Sequence, residues 1–520
     1  MKKLIALLLA LVLLCGAVTA AFTDEKSVNT RYREAVSAMS EKGVIGGFPD
    51  GSFKPKDTLT RAQAAKIICT VLEGADKVDA ITATASFADV PAEHWAAKFI
   101  GYCAEKGIVS GVGNNKFDPN GQLTGFAFGK MLLVAYGHNA ETEGLTGAGW
   151  DTHVAELLKK EGRDYQLKVS GDPLPRQEAC QMAYNFTLPA VDTSAYAETT
   201  VEAKTDSALY KTNGRTRLGD EGLELRWPGD SIEFTAELSG DVVMYYKSGE
   251  NVYLQTFVDG VENLRFLVTA SANEKKVKVA ENVRPGEHTI RIVRDSDIVK
   301  SSAYMTFLSL SFSGVKSTVK ATEQKKLLIE YVGDSITSGK YTLPDTGDTE
   351  KTHSATHSYA YLVSQELDAD WIITSRGGVA LIRTKENGGG SCPKTMAQCY
   401  DYINPFAADE ELIRYDFTRK PDVVVMALGT NDNKSGEELT KAAVDMIKQI
   451  KDRNGANVKI VVMYGMMTGS HFTELEAAAK ETGSYALKVT RDNSGGNNHP
   501  GVAGHQKNAE ELVAFLKTIL

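Results

Sequence analysis

The sequence has no hydrophobic run beyond its first 21 residues that is long enough to cross a membrane, no excess of positive charge, and few cysteines. Its 520 residues carry a net charge of −9, which gives no reason to expect nucleic-acid binding. No spacing among its six cysteines resembles a zinc site, so we predict no structural metal. Hydrophobic residues make up 42% and charged residues 24% of the chain, as in an ordinary globular protein with several domains.

The cysteines beyond the N-terminal segment fall into two groups. Cys69, Cys103 and Cys180 lie in apolar helical patterns and are predicted to be small core residues. Cys392 and Cys399 are close in the chain and could pair in an oxidising compartment. The sequence leaves that pairing open.

The first 21 residues have the order of a secretory signal. Lys2 and Lys3 precede an apolar run that ends in small residues, LIALLLALVLLCGAVTAA. A membrane-spanning helix needs about 20 apolar residues, which is more than this run offers. We therefore expect residues 1–21 to be a cleaved signal peptide and the protein to be secreted.

A degenerate repeat occupies residues 22–188. Each copy places a helix before a Gly-rich turn, then a Pro/Asp/Gly loop and a second helix. The copies read EKGVIGGFPDGSFKPKDTLTRAQAAKII, EKGIVSGVGNNKFDPNGQLTGFAFGKML and LKVSGDPLPRQEACQMAY. In the first copy Thr60 and Gln63 form a predicted capping box at a helix start. Such self-similarity predicts small helical units that stack on one another.

These repeats resemble S-layer homology modules. The clearest match is FADVPAEHWAAKFIGYCAEKGIVSG, which has the family's Phe-x-Asp-Val opening. The resemblance implies three modules, at about residues 22–74, 86–137 and 138–188. It also implies that the modules bind a secondary cell-wall polysaccharide at a Gram-positive-type cell surface.

The resemblance further implies which residues touch that polymer. In the family, the arginine of a Thr-Arg-Ala-Glu motif helps to bind an anionic, pyruvylated polysaccharide, and Arg61 and Arg176 hold this position here. The fork of a guanidinium suits a carboxylate, and a merely solvated cation would be unfavourable at a helix start. The second copy has Gly125 instead, so its site is expected to be weak. For Trp95 the sequence leaves core packing and polysaccharide contact equally open.

The middle of the chain changes character. Residues 189–205 are rich in Thr, Ala and Glu and are predicted to be a linker. Residues 206–318 contain short alternating runs split by Gly, Pro and Asp turns, which predict a β-sandwich. No catalytic constellation is visible in it, and we expect a packing or carbohydrate-contacting domain.

Strands alternate with helices over residues 325–520. The runs KLLIEYVG, DWIITS, DVVVMALG and VKIVVMYG are predicted to be buried parallel strands of a doubly wound α/β domain. Functional sites of such sheets lie at the carboxyl ends of the strands. Polar candidates follow at consecutive loops: Ser335 in GDS, Gly378 in SRGG, Asn431 in GTND and His499 in NNHPGVAGH.

The chemistry of these residue types is that of acyl transfer. A serine hydroxyl is a poor nucleophile unless a base takes its proton, and His499 is the candidate base for Ser335. The side-chain amide of Asn431 and the backbone N–H groups of Ser335 and Gly378 could stabilise an oxyanion. Asp334 and Asp432 are expected to hold the loops through backbone hydrogen bonds. We predict no metal and no organic cofactor.

These four blocks resemble the SGNH (GDSL) hydrolase superfamily over residues 325–520. Residues 205–520 are similar to carbohydrate esterase family 2, which places a jelly-roll domain directly before the hydrolase domain. The resemblance implies helical S-layer homology repeats, then a β-sandwich (jelly roll), then an α/β doubly wound SGNH hydrolase domain. It also implies a serine esterase that removes acetyl groups from a polysaccharide.

The sequence departs from the superfamily beside the histidine. Gly496 stands where the superfamily usually has Asp, and Asn497 stands where the sugar esterases tend to place their orienting group. Either a backbone carbonyl orients His499, which makes a Ser–His dyad, or Asp492 folds back to reach it. We favour the dyad, because the resemblance implies that some members of the esterase family work in this way.

Other polar and aromatic residues have simpler interpretations. His353 and His357 follow the serine in a polar loop, for which we favour a surface position over a place at the substrate mouth, and His505 is predicted to cap or flank the last helix. Trp371 is predicted to be a core residue.

Three hypotheses of function remain at this point. The first is a secreted, wall-anchored esterase that deacetylates polysaccharide. The second is a surface carbohydrate-binding protein without turnover, which the missing carboxylate beside His499 would favour. The third is an SGNH lipase or thioesterase, against which the lack of a long apolar lid segment argues.

Overall fold

The computed structural model describes residues 22–189, 191, 193–297, 304–344, 350–382, 392–432 and 435–520. The predicted signal peptide lies outside these residues. The chain divides into two compact units. The first comprises the described residues up to Ala195 together with Glu281–Pro285, and the second comprises those of Tyr196–Ala280 and Gly286–Leu520.

The first unit is helical. Its α-helices, in chain order, are α1 Arg33–Glu41, α2 Arg61–Glu73, α3 Ala97–Glu105, α4 Gly125–Ala135, α5 Trp150–Lys160 and α6 Arg176–Thr187. The predicted capping box at Thr60 and Gln63 is confirmed and begins α2. At α4 the side chain of Thr124 accepts a hydrogen bond from Ala127 N in the equivalent position.

A ring of backbone hydrogen bonds joins the three repeats. Leu59 N donates to Leu174 O at 2.9 Å, Leu174 N to Leu123 O at 2.8 Å, and Leu123 N to Leu59 O at 3.0 Å. All three leucines are buried in one apolar cluster. Each leucine lies two residues before the first residue of a helix, so the ring fixes the starts of α2, α4 and α6 around a common centre. The small helical units that the sequence predicted therefore each contact the other two at this ring.

The second unit begins with a β-rich part. Its strands are β1 Ala197–Glu202, β2 Lys211–Asn213, β3 Arg217–Leu218, β4 Leu223–Leu225, β5 Ser231–Ser248, β6 Val252–Val258, β7 Val261–Val268, β8 Ser271–Arg294, β9 Met305–Val315 and β10 Lys320–Ala321. Their order is β3-β4-β9-β5-β8-β6-β7, with β1 paired to β9 and with β2 and β10 paired to β5. The prediction of a β-rich middle part is thus confirmed.

The predicted linker over residues 189–205 is wrong for β1. Residues 197–202 pair antiparallel with β9, from Ala197 opposite Val315 to Glu202 opposite Ser309. Thr199, Thr200 and Val201 are β-branched and favour a strand when a partner edge is available. Their Thr/Glu composition resembles that of a linker, and the pairing comes from a strand more than 100 residues later in the chain.

The rest of the second unit is built on a parallel sheet. Its strands are β11 Leu327–Gly333, β12 Ala369–Ser375, β13 Val423–Ala427, β14 Lys459–Tyr464 and β15 Tyr485–Lys488, in the order β12-β11-β13-β14-β15. Its α-helices are α7 Tyr359–Glu366, α8 Met396–Cys399, α9 Glu437–Asn454, α10 Phe472–Glu481 and α11 Val502–Ile519. The four predicted strands are all present.

Helices cover both faces of this sheet. Val423 and Val425 face one apolar cluster, which contains α7 and α11, whereas Val424 and Met426 face another, which contains α9 and α10. This alternation is why the strands read as continuous apolar runs. Phe257, from the β-rich part, packs in the first of these clusters, so the two parts share a core.

The register of the sheet determines where its polar loops meet. Gly333 at the end of β11 lies opposite Ser375 of β12 and Ala427 of β13. The loops that follow these three strands therefore start side by side. They carry Ser335, Gly378 and Asn431.

Candidate active site

The segment after β11 makes a tight turn that holds Ser335. Asp334 Oδ1 accepts a hydrogen bond from Ile336 N at 3.0 Å, and Ser335 O accepts one from Lys340 N at 2.9 Å. A side chain at Gly333 would place its Cβ 2.0 Å from Thr337 Oγ1, so this turn requires glycine there. Ser335 is nearly buried, at 6% exposure.

Ser335 and His499 are in direct contact. The Oγ of Ser335 lies 2.8 Å from Nε2 of His499, although the two residues are 164 positions apart. The other ring nitrogen, Nδ1, lies 3.0 Å from the backbone oxygen of Asn497. A proton on Nδ1 would be donated to that oxygen, which leaves Nε2 free to accept the proton of the serine.

Asp492 does not orient the histidine. Its Oδ1 accepts hydrogen bonds from Ser494 N and from Gly501 N, each at 3.0 Å. These bonds hold the loop that leads to α11 and carries His499. Of the two arrangements that the sequence left open, the geometry matches the backbone-carbonyl dyad.

Burial is the main influence on the pKa of His499. It lowers the pKa of His499 below the ordinary value of 6.5, because the charged imidazolium loses solvation. The bond to the Asn497 carbonyl opposes this lowering, the positive charge of Lys340 adds to it, and the negative charge of Asp297 opposes it. The pKa of His499 therefore favours a neutral base at neutral pH.

Asn431 joins the serine turn to the loop after β12. Its Nδ2 donates to Val379 O at 2.9 Å and lies 3.4 Å from Asp334 Oδ2. Gly378, next to Val379, adopts the left-handed φ of 78° that glycine accepts without strain. The structure thus brings Ser335, His499, Asn431 and the Gly378 loop to one edge of the sheet.

The two aspartates beside these residues bind backbone. Asp432 accepts hydrogen bonds from Leu381 N at 3.0 Å and Ile382 N at 2.9 Å, which fixes the loop after β12. Burial, together with the charges of Asp432 and Asp297, raises the pKa of Asp334 to about 7, although its hydrogen bonds act in the opposite direction.

Tyr341, which lies beside His499, was not expected from the sequence. The ring of Tyr341 lies edge-on to His499 at 5.0 Å between centroids and to His353 at 5.3 Å. Tyr341 has a left-handed φ of 60°, and its backbone oxygen accepts a hydrogen bond from Gly496 N in the histidine loop. No sequence signal marks this residue, because tyrosine rarely adopts such a conformation.

The prediction that His353 lies in a surface loop is wrong. His353 is buried at 3% exposure, and neither of its ring nitrogens has a hydrogen-bond partner among the described residues. His505 is fully buried within α11 rather than capping it, and its Nδ1 accepts from Tyr359 N at 3.2 Å. His357 is half-buried, and Trp371 is a core residue as predicted.

The helical unit holds the residues that were predicted to bind wall polymer. Trp95 is 54% exposed, so the core-packing alternative is wrong. It lines a pocket, here called the Trp95 pocket, whose other members include Gly46, Phe48, Gln63, Lys66 and Arg176. This pocket joins residues from all three repeats.

The two arginines make equivalent contacts. Arg176 Nε donates to Phe53 O at 2.9 Å, and its guanidinium lies 4.8 Å above the ring of Phe48. Arg61 Nε donates to Phe117 O at 2.7 Å in the next repeat. Gly125 stands at the third equivalent position, where a side chain would come within 3.0 Å of Ser170 O.

Several further observations concern the described residues. Cys392 and Cys399 are buried free thiols and form no disulfide. Among the residues that the structure describes, no helix has the length and apolar character that a membrane span requires.

Comparison with known proteins identifies two kinds of domain. Residues 21–65 and 86–128 match the S-layer homology domain, and residues 212–343 match the carbohydrate esterase 2 N-terminal domain. The match to S-layer homology domains and the similarity to surface-layer proteins confirm the predicted location at the cell surface.

The curated relatives include an esterase and a surface-layer protein. The cellulase/esterase CelE of Acetivibrio thermocellus is 30% identical over 336 residues, which are 59% of this chain and 39% of the relative. The surface-layer 125 kDa protein of Lysinibacillus sphaericus is 26% identical over 63% of this chain and 24% of its own length. The chain therefore spans less than half of the length of either relative.

A solved structure is matched over nearly its whole length. A family two carbohydrate esterase from Clostridium thermocellum, in complex with cellohexaose, is 26% identical with a TM-score of 0.53. The match covers 59% of this chain and 98% of that one. An acetyl xylan esterase from Butyrivibrio proteoclasticus shares the fold at 18% identity with a TM-score of 0.55. The chain thus contains regions that match the S-layer homology domain and the carbohydrate esterase 2 N-terminal domain, and it is similar to family two carbohydrate esterases.

Proposed function

We propose that this protein is a cell-surface serine esterase that removes acetyl groups from a polysaccharide. The observation that carries the proposal is the 2.8 Å contact between Ser335 Oγ and His499 Nε2, with Nδ1 held by a backbone carbonyl. The similarity to family two carbohydrate esterases supports a carbohydrate substrate. The complex of one such relative with cellohexaose favours a polymer with a glucan-like backbone.

The reaction proceeds in two halves. Ser335 Oγ attacks the acetyl carbonyl carbon while Nε2 of His499 takes the hydroxyl proton, so an anionic tetrahedral intermediate forms. The bond to the sugar oxygen then breaks, and that oxygen takes the proton from Nε2. Water next attacks the acetyl-serine by the same route, releasing acetate and restoring the hydroxyl of Ser335.

The oxyanion requires donors that are already in place. We assign this role to the backbone N–H groups of Ser335 and Gly378 and to the side-chain amide of Asn431. Asn431 already spans the serine turn and the Gly378 loop through Val379 and Asp334. When an acetyl group binds there, its carbonyl oxygen would replace one of these two acceptors of the Asn431 amide. The dyad lacks a carboxylate, which lowers the rate without abolishing turnover, because the oxyanion donors act independently.

We further propose that the helical unit attaches the enzyme to wall polysaccharide through the Trp95 pocket. The exposed indole offers a flat apolar surface for a sugar ring, and Arg176 and Lys66 offer charge to an anionic substituent. Gly125 removes the arginine from one of the three equivalent positions, so that position contributes less binding.

The test of the esterase is acetate release from acetylated glucomannan and acetylated xylan, beside hydrolysis of an aryl acetate. We expect wild type to be active and Ser335→Ala and His499→Ala to lose at least about 10³-fold. An inert wild type would instead favour the binding protein without turnover, which a glycan array on Ser335→Ala would detect.

A further inference from the structure

Strand β8 of the β-rich part ends beside the active-site loops. Asp297 follows it at 2% exposure, and its Oδ2 and Oδ1 lie 3.1 Å and 3.3 Å from Gly377 N. Oδ2 also lies 3.8 Å from the Nζ of Lys340, in the segment after Ser335. A carboxylate from one part of the unit thus binds the backbone next to Gly378.

The sequence at this point permits the contact. A Cβ on Gly377 would stand 2.7 Å from Asp297 Oδ2 and 3.0 Å from Lys340 Nζ, so any side chain would displace the carboxylate. The two glycines of SRGG are therefore required for different reasons. Gly377 allows the close approach of Asp297, and Gly378 takes the left-handed φ.

The carboxylate is presented on a fixed backbone. Asp295, two residues earlier, is fully buried and accepts hydrogen bonds from Arg265 Nε at 2.7 Å and from Thr356 N at 2.8 Å. Its own backbone N donates to Tyr253 O at 2.8 Å. These bonds anchor the end of β8 to β6, β7 and the segment before α7.

We propose that Asp297 is a positioning residue, which holds the Gly377 peptide so that the neighbouring Gly378 N–H meets the oxyanion. This inference rests on the proposed esterase function. Oxyanion donors act only when they are pre-placed, and removal of one typically costs about 10²–10³ in rate. The β-rich part is then a working component of the active site and not only a neighbour of it.

The same carboxylate acts on the base through its charge. The titratable or charged groups that surround the imidazole of His499 come from four segments of the unit. They are Asp297 after β8, Lys340 and Tyr341 after Ser335, His353 before α7, and His505 in α11. The negative charge of Asp297 favours the imidazolium and the positive charge of Lys340 disfavours it. Removing either charge therefore moves the acid limb of the pH profile, in opposite directions.

The experiment measures aryl acetate hydrolysis by the full chain across pH for five single variants and for the double variant of Asp297→Ala with Gly377→Ala. Asp297→Ala removes the acceptor, Asp297→Asn keeps an acceptor oxygen without the charge, and Gly377→Ala displaces the carboxylate. Lys340→Gln removes the opposing charge. Asp220→Asn, at an exposed position of the same β-rich part, is the matched control. Thermal midpoints are recorded for each, since Asp297 is buried.

We expect kcat of Asp297→Ala to fall about 10- to 100-fold with KM little changed, and Asp297→Asn to recover most of that loss. The acid limb should move to lower pH in Asp297→Asn and to higher pH in Lys340→Gln. Gly377→Ala should lose activity like Asp297→Ala, and the double variant should lose little more, because both act through one contact.

The outcomes separate the two proposals. A silent wild type overturns the esterase and with it the role of Asp297. An active wild type with Asp297→Ala equal to Asp220→Asn overturns the positioning role alone, as does full additivity of Asp297→Ala and Gly377→Ala. If Asp297→Ala does not fold, Asp297→Asn serves as the test of the positioning role. That role is contradicted if the acid limb of Asp297→Asn does not move and its kcat is as low as that of Gly377→Ala.

Discussion

The Nδ1 atom of His499 lies 3.0 Å from the backbone oxygen of Asn497, two residues earlier in the same loop. The imidazole of the proposed base is therefore oriented by a backbone carbonyl of its own loop. A carboxylate in this place would also stabilise the imidazolium that forms during the reaction, whereas a carbonyl supplies only part of that stabilisation. In the proposed dyad, the orientation of the imidazole depends on the geometry of this loop. That geometry depends in turn on the left-handed backbone of Asn497, with φ 51°.

Replacing Asn497 tests whether the backbone, and not the side chain, orients the base. Asn497→Gly keeps the carbonyl and accepts a positive φ, so we expect kcat/KM within about threefold of wild type. Asn497→Val disfavours this conformation by about 1–3 kcal/mol, and we expect a loss of about tenfold or more. Aryl acetate kinetics would measure both. Equal losses in the two variants would mean that the asparagine side chain does the work.

The pH profile should report a buried base. His499 must be neutral to accept a proton, and burial lowers its pKa below 6.5. We therefore expect the acid limb of kcat/KM to have its midpoint below pH 6.5, with activity retained in mildly acidic buffer. A midpoint above that value would show that stabilisation of the imidazolium by its neighbours outweighs the effect of burial.

The sequence predicted the site in outline because its signals are local. Ser335, Asn431 and His499 each lie in a short motif after a strand or before a helix, and parallel strands bring such loops to one edge. The fifth strand, β15, was not predicted, because its four residues lie at a sheet edge and lack a buried run. Strand β1 was missed for a related reason, since its partner lies far along the chain.

Contacts between distant segments could not be predicted. The Gly377 contact joins residues 80 positions apart. The groups beside the buried His353 are also distant in the chain, since they include Arg265 of β7, Asp297 and His499. A polar segment such as KTHSATHS reads as surface because composition carries no information about what packs on it. The exposure of Trp95 was undetermined for the same reason.

His353 should make the protein less stable as the pH falls. Burial lowers its pKa to about 4, so between pH 6.5 and 4 the unfolded chain binds a proton that the folded chain refuses. That difference corresponds to roughly 3 kcal/mol of unfolding free energy lost on acidification. His353→Leu should therefore lose less stability than wild type between pH 7 and pH 4.5, as urea denaturation would measure.

The control for that series is His153→Gln, at an exposed position of α5. Its pH dependence should follow wild type. If His353→Leu also follows wild type, His353 titrates normally and is not sealed from solvent in the folded state.

Trp95 and Arg176 should differ in what their loss does. Trp95 is more than half exposed, so Trp95→Ala should weaken binding to purified wall polysaccharide about tenfold while the thermal midpoint stays within about 2 °C of wild type. Arg176 also holds Phe53 O and stacks on Phe48, so Arg176→Ala should lower both binding and stability. Co-sedimentation with wall preparations would measure the binding. Unchanged binding in Trp95→Ala would place the polysaccharide site elsewhere.

The buried ion pair between Arg215 and Glu330 should be essential to the second unit. Arg215 precedes β3, is fully buried, and its Nη2 lies 2.8 Å from Oε1 of Glu330 on β11. Arg215→Ala leaves the carboxylate buried without its cation, which typically costs about 3–5 kcal/mol. Arg215→Met with Glu330→Met removes both charges and should recover much of that loss, whereas Lys441→Ala at an exposed pair should leave the urea midpoint close to that of wild type. Urea midpoints at pH 7 would rank the variants. Arg215 comes from the β-rich part and Glu330 from the parallel sheet. A loss of stability in Arg215→Ala no larger than that in Lys441→Ala would mean that the two parts fold independently. A single cooperative transition that moves to lower urea would mean that they fold as one body.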